Sequence, residues 1–149
     1  GYFPYTPSTN ILYGLDEALS MLLDEGLTNV FERHRRLAYA TQLAVAGWGL
    51  ENLCVNPEEY SNSTTAVLMP KGHDADALRN IILEKFNMSL GMGLGKVKGT
   101  VFRIGHIGDF NELMMAGTLS GVEMGLSIAR VPHSKGGVNA ALEFLASSA

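Results

Sequence analysis

Glycine and proline cut this chain into short periodic segments, and the order of those segments excludes most architectures. Pro4 and Pro7, among three aromatics, make residues 1–9 an extended, non-helical lead-in. Ser8 or Thr9 can then cap a helix, in which Ile11, Leu12, Leu15, Ala18, Leu19, Leu22 and Leu23 recur at helical spacing until Gly26 ends it. A second helix is expected over about residues 28–46. Its stripe is Val30, Leu37, Ala38, Thr41, Ala44, Val45 and Trp48, and Gly47 and Gly49 close it. Strands are expected over 50–55 and 64–69, with Pro57 between them and Pro70 and Gly72 ending the second. Asp74 or Asp76 starts a helix carrying Ala77, Leu78, Ile81, Ile82 and Phe86. A glycine-rich stretch over 89–95 precedes a further strand at 101–104. Asp109, three residues before Glu112, has capping-box spacing for a helix running to about Ala129 with Leu113, Ala116, Leu119, Val122, Met124 and Leu126. After Pro132 and Gly136-Gly137 a last short helix ends at Ser147.

Helices and strands alternate without the regular βαβ order of a doubly wound sheet. The expected class is therefore α+β, a small, mainly antiparallel sheet covered by helices. The chain has 149 residues, 46% of them hydrophobic, which suits one folded domain. Charged residues make up only 17%, below the usual ~25%, as expected where other protein covers part of the surface. With a net charge of −4 there is no basic field to attract nucleic acid or an anionic membrane. No apolar run approaches the ~20 residues of a membrane helix. The densest basic run, Arg33-His34-Arg35-Arg36, follows Glu32, which reaches Arg35 and Arg36 at i+3 and i+4; a solvated helix face is expected. The single cysteine, Cys54, excludes an intrachain disulfide and sits on an expected strand as a small buried hydrophobe. Residues 146–149 do not form a peroxisomal address, so a cytoplasmic location is expected.

The glycine-rich stretch fails both phosphate-loop patterns. Leu90 stands where a Walker loop needs its first glycine, Val97 where it needs serine or threonine, and Lys96 where a Rossmann turn needs its third glycine. It reads instead as a turn that brings backbone close to a neighbour. The histidines, His34, His73, His106 and His133, have no metal-ligand spacing to one another or to Cys54. Two features can carry chemistry. In the strand Val101-Phe102-Arg103-Ile104-Gly105, Phe102 and Ile104 share the core face and Arg103 points the other way, with Gly105 leaving room beside it. The guanidinium there is either an ordinary salt bridge or exposed arginine, or a bidentate carboxylate clamp. In the lead-in, Tyr2, Tyr5, Thr6, Ser8 and Thr9 place five hydroxyls beside a helix start, which either cap and turn the chain or hold a phosphate.

The run Tyr2-Phe3-Pro4-Tyr5-Thr6-Pro7, then Leu12-Tyr13-Gly14-Leu15 and Glu17-Ala18-Leu19, resembles the class V aminotransferases. So do Glu25-Gly26-Leu27 with Phe31 and Arg33-His34, Gly91-Met92-Gly93-Leu94-Gly95, and Val101-Phe102-Arg103-Ile104-Gly105-His106-Ile107-Gly108-Asp109. The resemblance covers nearly all of the chain in order and is strongest to the serine–glyoxylate and alanine–glyoxylate branch. It implies the C-terminal part of a fold-type-I enzyme that uses pyridoxal 5'-phosphate (PLP). Residues 1–26 would form an interface segment and connecting helix, and residues 27–149 an α+β small domain. The large domain, with the lysine that carries the cofactor, would lie upstream, since none of Lys71, Lys85, Lys96, Lys98 or Lys135 sits in a matching context. The resemblance further implies a homodimer that transfers an amino group from serine or alanine to glyoxylate. Arg103 would bind the substrate carboxylate, and Thr6 the cofactor phosphate of the partner subunit. Where the family has a tyrosine three residues before that threonine this chain has Phe3, which leaves Tyr5 or Tyr2 to supply the hydroxyl. A cysteine desulfurase would share the fold but needs a reactive cysteine on a mobile loop. A stand-alone amino-acid-binding or regulatory module would be apolar only inside, whereas part of a larger enzyme would expose an apolar face.

Overall fold

A computed structural model describes residues 2–148; Gly1 and Ala149, the two ends of the expected domain, lie outside the described residues. By its internal contacts the chain divides into two units, Gly1–Arg33 and His34–Ala149, and the boundary falls inside the second helix.

In the first unit the proline-bearing lead-in is non-helical, with a bend at Pro4 and Tyr5, and α1 runs Thr9–Glu25. Ser8 takes the N-cap position with extended backbone, but its hydroxyl makes no capping bond. Gly26 ends the helix at φ 84°, a left-handed turn that glycine adopts without strain, and α2 begins at once at Leu27. Across this break Arg33 grips Glu25 with two parallel bonds of 2.7 Å. The apolar stripe read from the sequence is present, yet α1 has no buried residue. Ile11, Leu12, Leu15 and Leu19 all stand exposed.

The second unit holds the sheet and the core. Its strands are β1 (Glu51–Asn52), β2 (Thr64–Leu68), β3 (Gly91–Met92) and β4 (Val101–Gly105), in the order β1-β2-β4-β3 and antiparallel throughout. Thr65 pairs with Ile104 and Val67 with Phe102, so these four buried residues fall on one face, while Val101, also buried, lies on the other. Four helices close over that face: the C-terminal part of α2 (Leu27–Gly47), α3 (Ala75–Phe86), α4 (Glu112–Ile128) and α5 (Gly137–Ser147). Leu37 and Ala44, Leu78 and Ile82, Met115 and Leu119, and Ala141 and Leu145 are their contributions to the common core. All seven residues of the α2 stripe expected from sequence are buried.

Several details differ from the sequence reading. The strand expected over 50–55 contracts to two residues. After Leu53 N–H meets the Ala66 carbonyl the chain turns into a 3-10 turn at Pro57–Glu59. Cys54 is consequently off the strand and half-buried, with its thiol 3.5 Å from the Asn56 carbonyl. Asp109 does not cap α4. Gly108 turns at φ 90°, Phe110 packs against the core, and the helix starts only at Glu112, capped by Asn111 Oδ1 accepting from Met114 N–H at 2.9 Å. Glu112 therefore stands in the first turn and forms an ion pair with Arg36 of α2. The basic run is thus not a purely solvated face, because Arg36 spans to α4 and His34 is buried. On α4, Leu113 and Met124 point outward, and Met115 takes the core position.

One polar junction ties the helices. Trp48, fully buried at the end of α2, donates its indole N–H to Glu123 Oε2 at 2.7 Å, and the same oxygen accepts Val138 N–H at 3.2 Å in the first turn of α5. Gly137 makes this approach feasible, since a Cβ there would stand 2.5 Å from both the Ala44 carbonyl oxygen and the Trp48 indole nitrogen. Partial burial raises the Glu123 carboxyl's pKa, but the bonds from Trp48, Val138 and Gly136 and the nearby His133 outweigh it and leave the pKa below the ordinary carboxylate value. Glu123→Ala should lower the unfolding free energy by about 1–3 kcal/mol, because it strands a buried indole N–H. Urea unfolding checks this, and an unchanged midpoint would remove the junction from the list of stabilising contacts.

Candidate active-site arginine and its surroundings

β4 has the alternation that its sequence demands. Phe102 and Ile104 are fully buried on the helix side, and Arg103 projects half-buried from the opposite, open face of the sheet. Its cross-strand neighbours are Ala66 on β2 and Gly91 on β3, the smallest side chains available. Arg103 Nε donates to the Met92 carbonyl at 2.9 Å. Among the described residues neither Nη group has a hydrogen-bond partner and no carboxylate pairs with the guanidinium. Of the readings left open for this residue, the salt bridge is not seen among the described residues; an exposed arginine and a carboxylate clamp both fit. The geometry can receive a carboxylate on the two Nη groups.

Gly105, which the sequence suggested as the space beside Arg103, has nothing within 4 Å of where its Cβ would be. The tight glycine is Gly91. A Cβ there would stand 3.0 Å from Arg103 Cβ and 3.1 Å from its Nε. Gly91 and Met92 were not legible as neighbours of the arginine, because a two-residue strand leaves no alternation to detect.

Two histidines hold the chain just beyond Arg103. His106 is fully buried, with Nδ1 3.1 Å from the Asn62 carbonyl and Nε2 2.9 Å from Thr65 Oγ1. A carbonyl only accepts, so Nδ1 carries the proton and Nε2 receives the threonine hydroxyl. Burial lowers the His106 pKa, and the nearby His34 adds to this, against the opposing bond to Asn62. His34 Nε2 accepts Gly108 N–H at 3.0 Å. A hollow of about 250 Å³ lies beside β1 and β2, lined by Asn52, Cys54, Tyr60, Thr64 and Ala66 among others; Arg103 does not line it. Among the described residues no three His, Cys, Asp or Glu side chains cluster as metal ligands.

Thr6 and Tyr5 belong to the other unit. Both are exposed in the non-helical lead-in, and neither side chain forms a hydrogen bond among the described residues. They precede the N-terminus of α1, which no side chain caps. Exposed hydroxyls preceding a helix start that no side chain caps are groups a phosphate can bond to.

Comparison with known proteins defines the class first. The chain superposes on pyridoxamine–pyruvate aminotransferase from Mesorhizobium loti with a TM-score of 0.92 at 32% identity, using all of this chain and 38% of that one. It has the small-domain fold of the fold-type-I aminotransferases. No family model matches the chain. Among curated proteins it is 49% identical over 146 residues to serine–glyoxylate aminotransferase of Methylorubrum extorquens, covering 97% of this chain and 36% of the relative. It is 42% identical to L-aspartate–glyoxylate aminotransferase of Paracoccus denitrificans, covering 95% and 36%. The chain is thus homologous over nearly its whole length to serine–glyoxylate aminotransferases, and it spans little more than a third of the length of the curated relatives it matches.

The His106 geometry sets a pH dependence. Its folded pKa lies below the ordinary 6.5, so below that value the unfolded chain binds the extra proton more readily. Its contribution to stability is complete above about pH 6.5 and is lost as the pH falls through the lower folded value. Unfolding free energy should drop as the pH falls below about 6.5, and His106→Gln should flatten that slope. An equal slope in both proteins would assign it to other groups.

Proposed function

We propose that the chain is the C-terminal part of a PLP-dependent glyoxylate aminotransferase, with serine or alanine as amino donor and glycine as product. The observation that carries this reading is Arg103, whose two Nη groups face an open sheet surface without a carboxylate partner, in a chain 49% identical to a serine–glyoxylate aminotransferase. Amino donor and glyoxylate each present a carboxylate, and one arginine can grip them in turn. The bidentate grip fixes the reacting carbon's orientation, which is where positioning contributes to rate. Ala66 and Gly105 near it leave space for a small substrate.

Bound PLP would supply the electron sink for the bond broken at the amino acid's α-carbon. Of the residues present, Thr6 and Tyr5 would hold its phosphate, together with the first N–H groups of α1. Residues 1–26 would serve as an interface segment in a homodimer, Thr6 reaching the partner subunit's phosphate, and residues 27–149 as the small domain. The lysine that carries the cofactor would lie outside this chain. In support, Lys71, Lys85, Lys96, Lys98 and Lys135 are all exposed, whereas an amine that attacks a carbonyl at neutral pH works in a desolvated site. The exposed apolar stripe of α1 favours part of a larger enzyme over a stand-alone binding module. No described helix is long and apolar enough to cross a membrane, and a cytoplasmic location remains the proposal.

In the full-length protein, Arg103→Ala should lower kcat/KM for donor and for glyoxylate by roughly a hundredfold, the loss of a charge-assisted pair, while the cofactor's absorbance stays. Normal steady-state kinetics would count against the assignment. The 149-residue chain supplied with PLP should show no transamination. Glycine formation above the free-cofactor background would place the catalytic amine within these residues.

A further inference from the structure

The edge strand β3 does more than extend the sheet. Gly91 is not among the residues with positive φ, so its backbone does not require glycine; what requires it is the space taken by Arg103. The cross-strand register places Gly91 directly opposite Arg103, and any Cβ there would press on the arginine's Cβ and Nε at 3.0 and 3.1 Å. One residue on, the Met92 carbonyl accepts the Nε–H at 2.9 Å. A guanidinium can take a carboxylate with two parallel bonds along two edges, side-on through Nε and one Nη or end-on through the two Nη groups. With Nε already engaged, only the Nη1–Nη2 edge is left.

We propose that Gly91 and the Met92 carbonyl form a positioning device for Arg103: the missing side chain lets the guanidinium lie against β3, the carbonyl fixes Nε, and a substrate carboxylate is taken end-on by the two Nη groups. This rests on the reading of Arg103 as the carboxylate anchor. Gly91 and Met92 touch no reacting atom and act through the arginine. An added methyl at residue 91 displaces the guanidinium by a few tenths of an ångström or breaks its bond to Met92. Both substrates meet the same arginine, so both are affected together. Alanine suits a strand better than glycine does, so the same change should leave folding intact.

The test is a double-substitution cycle in the full-length holoenzyme with Gly91→Ala, Arg103→Ala and the pair, and Gly91→Val as a larger probe. Gly91→Ala should raise KM for donor and glyoxylate in parallel and lower kcat/KM by roughly ten- to a hundredfold, Gly91→Val more, with thermal midpoint and cofactor absorbance unchanged. In the Arg103→Ala background, Gly91→Ala should have no further effect. If Arg103→Ala is impaired but Gly91→Ala is normal, or the two losses simply multiply, the positioning role is overturned while the anchor stands. If Arg103→Ala is itself normal, the anchor reading fails and the device with it. Should Gly91→Ala lower the thermal midpoint as much as it lowers kcat/KM, glycine serves the sheet and not the arginine, which also overturns the inference.

Discussion

The two-residue period of β4 is the constraint on which the rest depends. Burying Phe102 and Ile104 under four helices obliges Arg103 to stand on the opposite face. A slip of one residue against β2 would move the guanidinium into the core and the two large apolar side chains into water, so the register is held by hydrophobic burial and desolvation cost together. The packing of the core and the presentation of the candidate anchor are thus one requirement. His106 sits three residues beyond Arg103 and, by its bonds to Asn62 and Thr65, fixes the strand's exit with a fully satisfied buried imidazole.

Much of this was legible from local pattern. The α2 stripe, the position of β2 and the facing of Arg103 follow from periods of 3.6 and 2 that burial selects. What failed was what depends on partners distant in sequence. The cap of α4 moved from Asp109 to Asn111 because Phe110 is drawn into the core, a demand invisible to capping-box spacing. Cys54 left its expected strand because only two residues of that segment find a ladder. Gly91 and Met92 became neighbours of Arg103 through strand register across an intervening 3-10 turn, and no local rule carries that information. Thr6 and Tyr5 came from resemblance to a family, with the hydroxyl cluster alone leaving two readings open.

The similar proteins share the fold while their names carry different amino donors and acceptors. The fold alone therefore does not set the substrate, whose choice belongs to the groups around the site.

The bareness of α1 has a consequence for how this chain acquires its structure. A helix of 17 residues is close to the length at which isolated helices are marginal in water, because nucleation is costly and each added hydrogen bond returns little. No side chain of α1 is buried, and its cap contributes no hydroxyl bond. Its order has to be borrowed from whatever surface covers the leucine stripe. Any surface that covered the stripe would couple the helix–coil equilibrium of this segment to the burial of its leucines, and would order the lead-in that precedes it only through that helix.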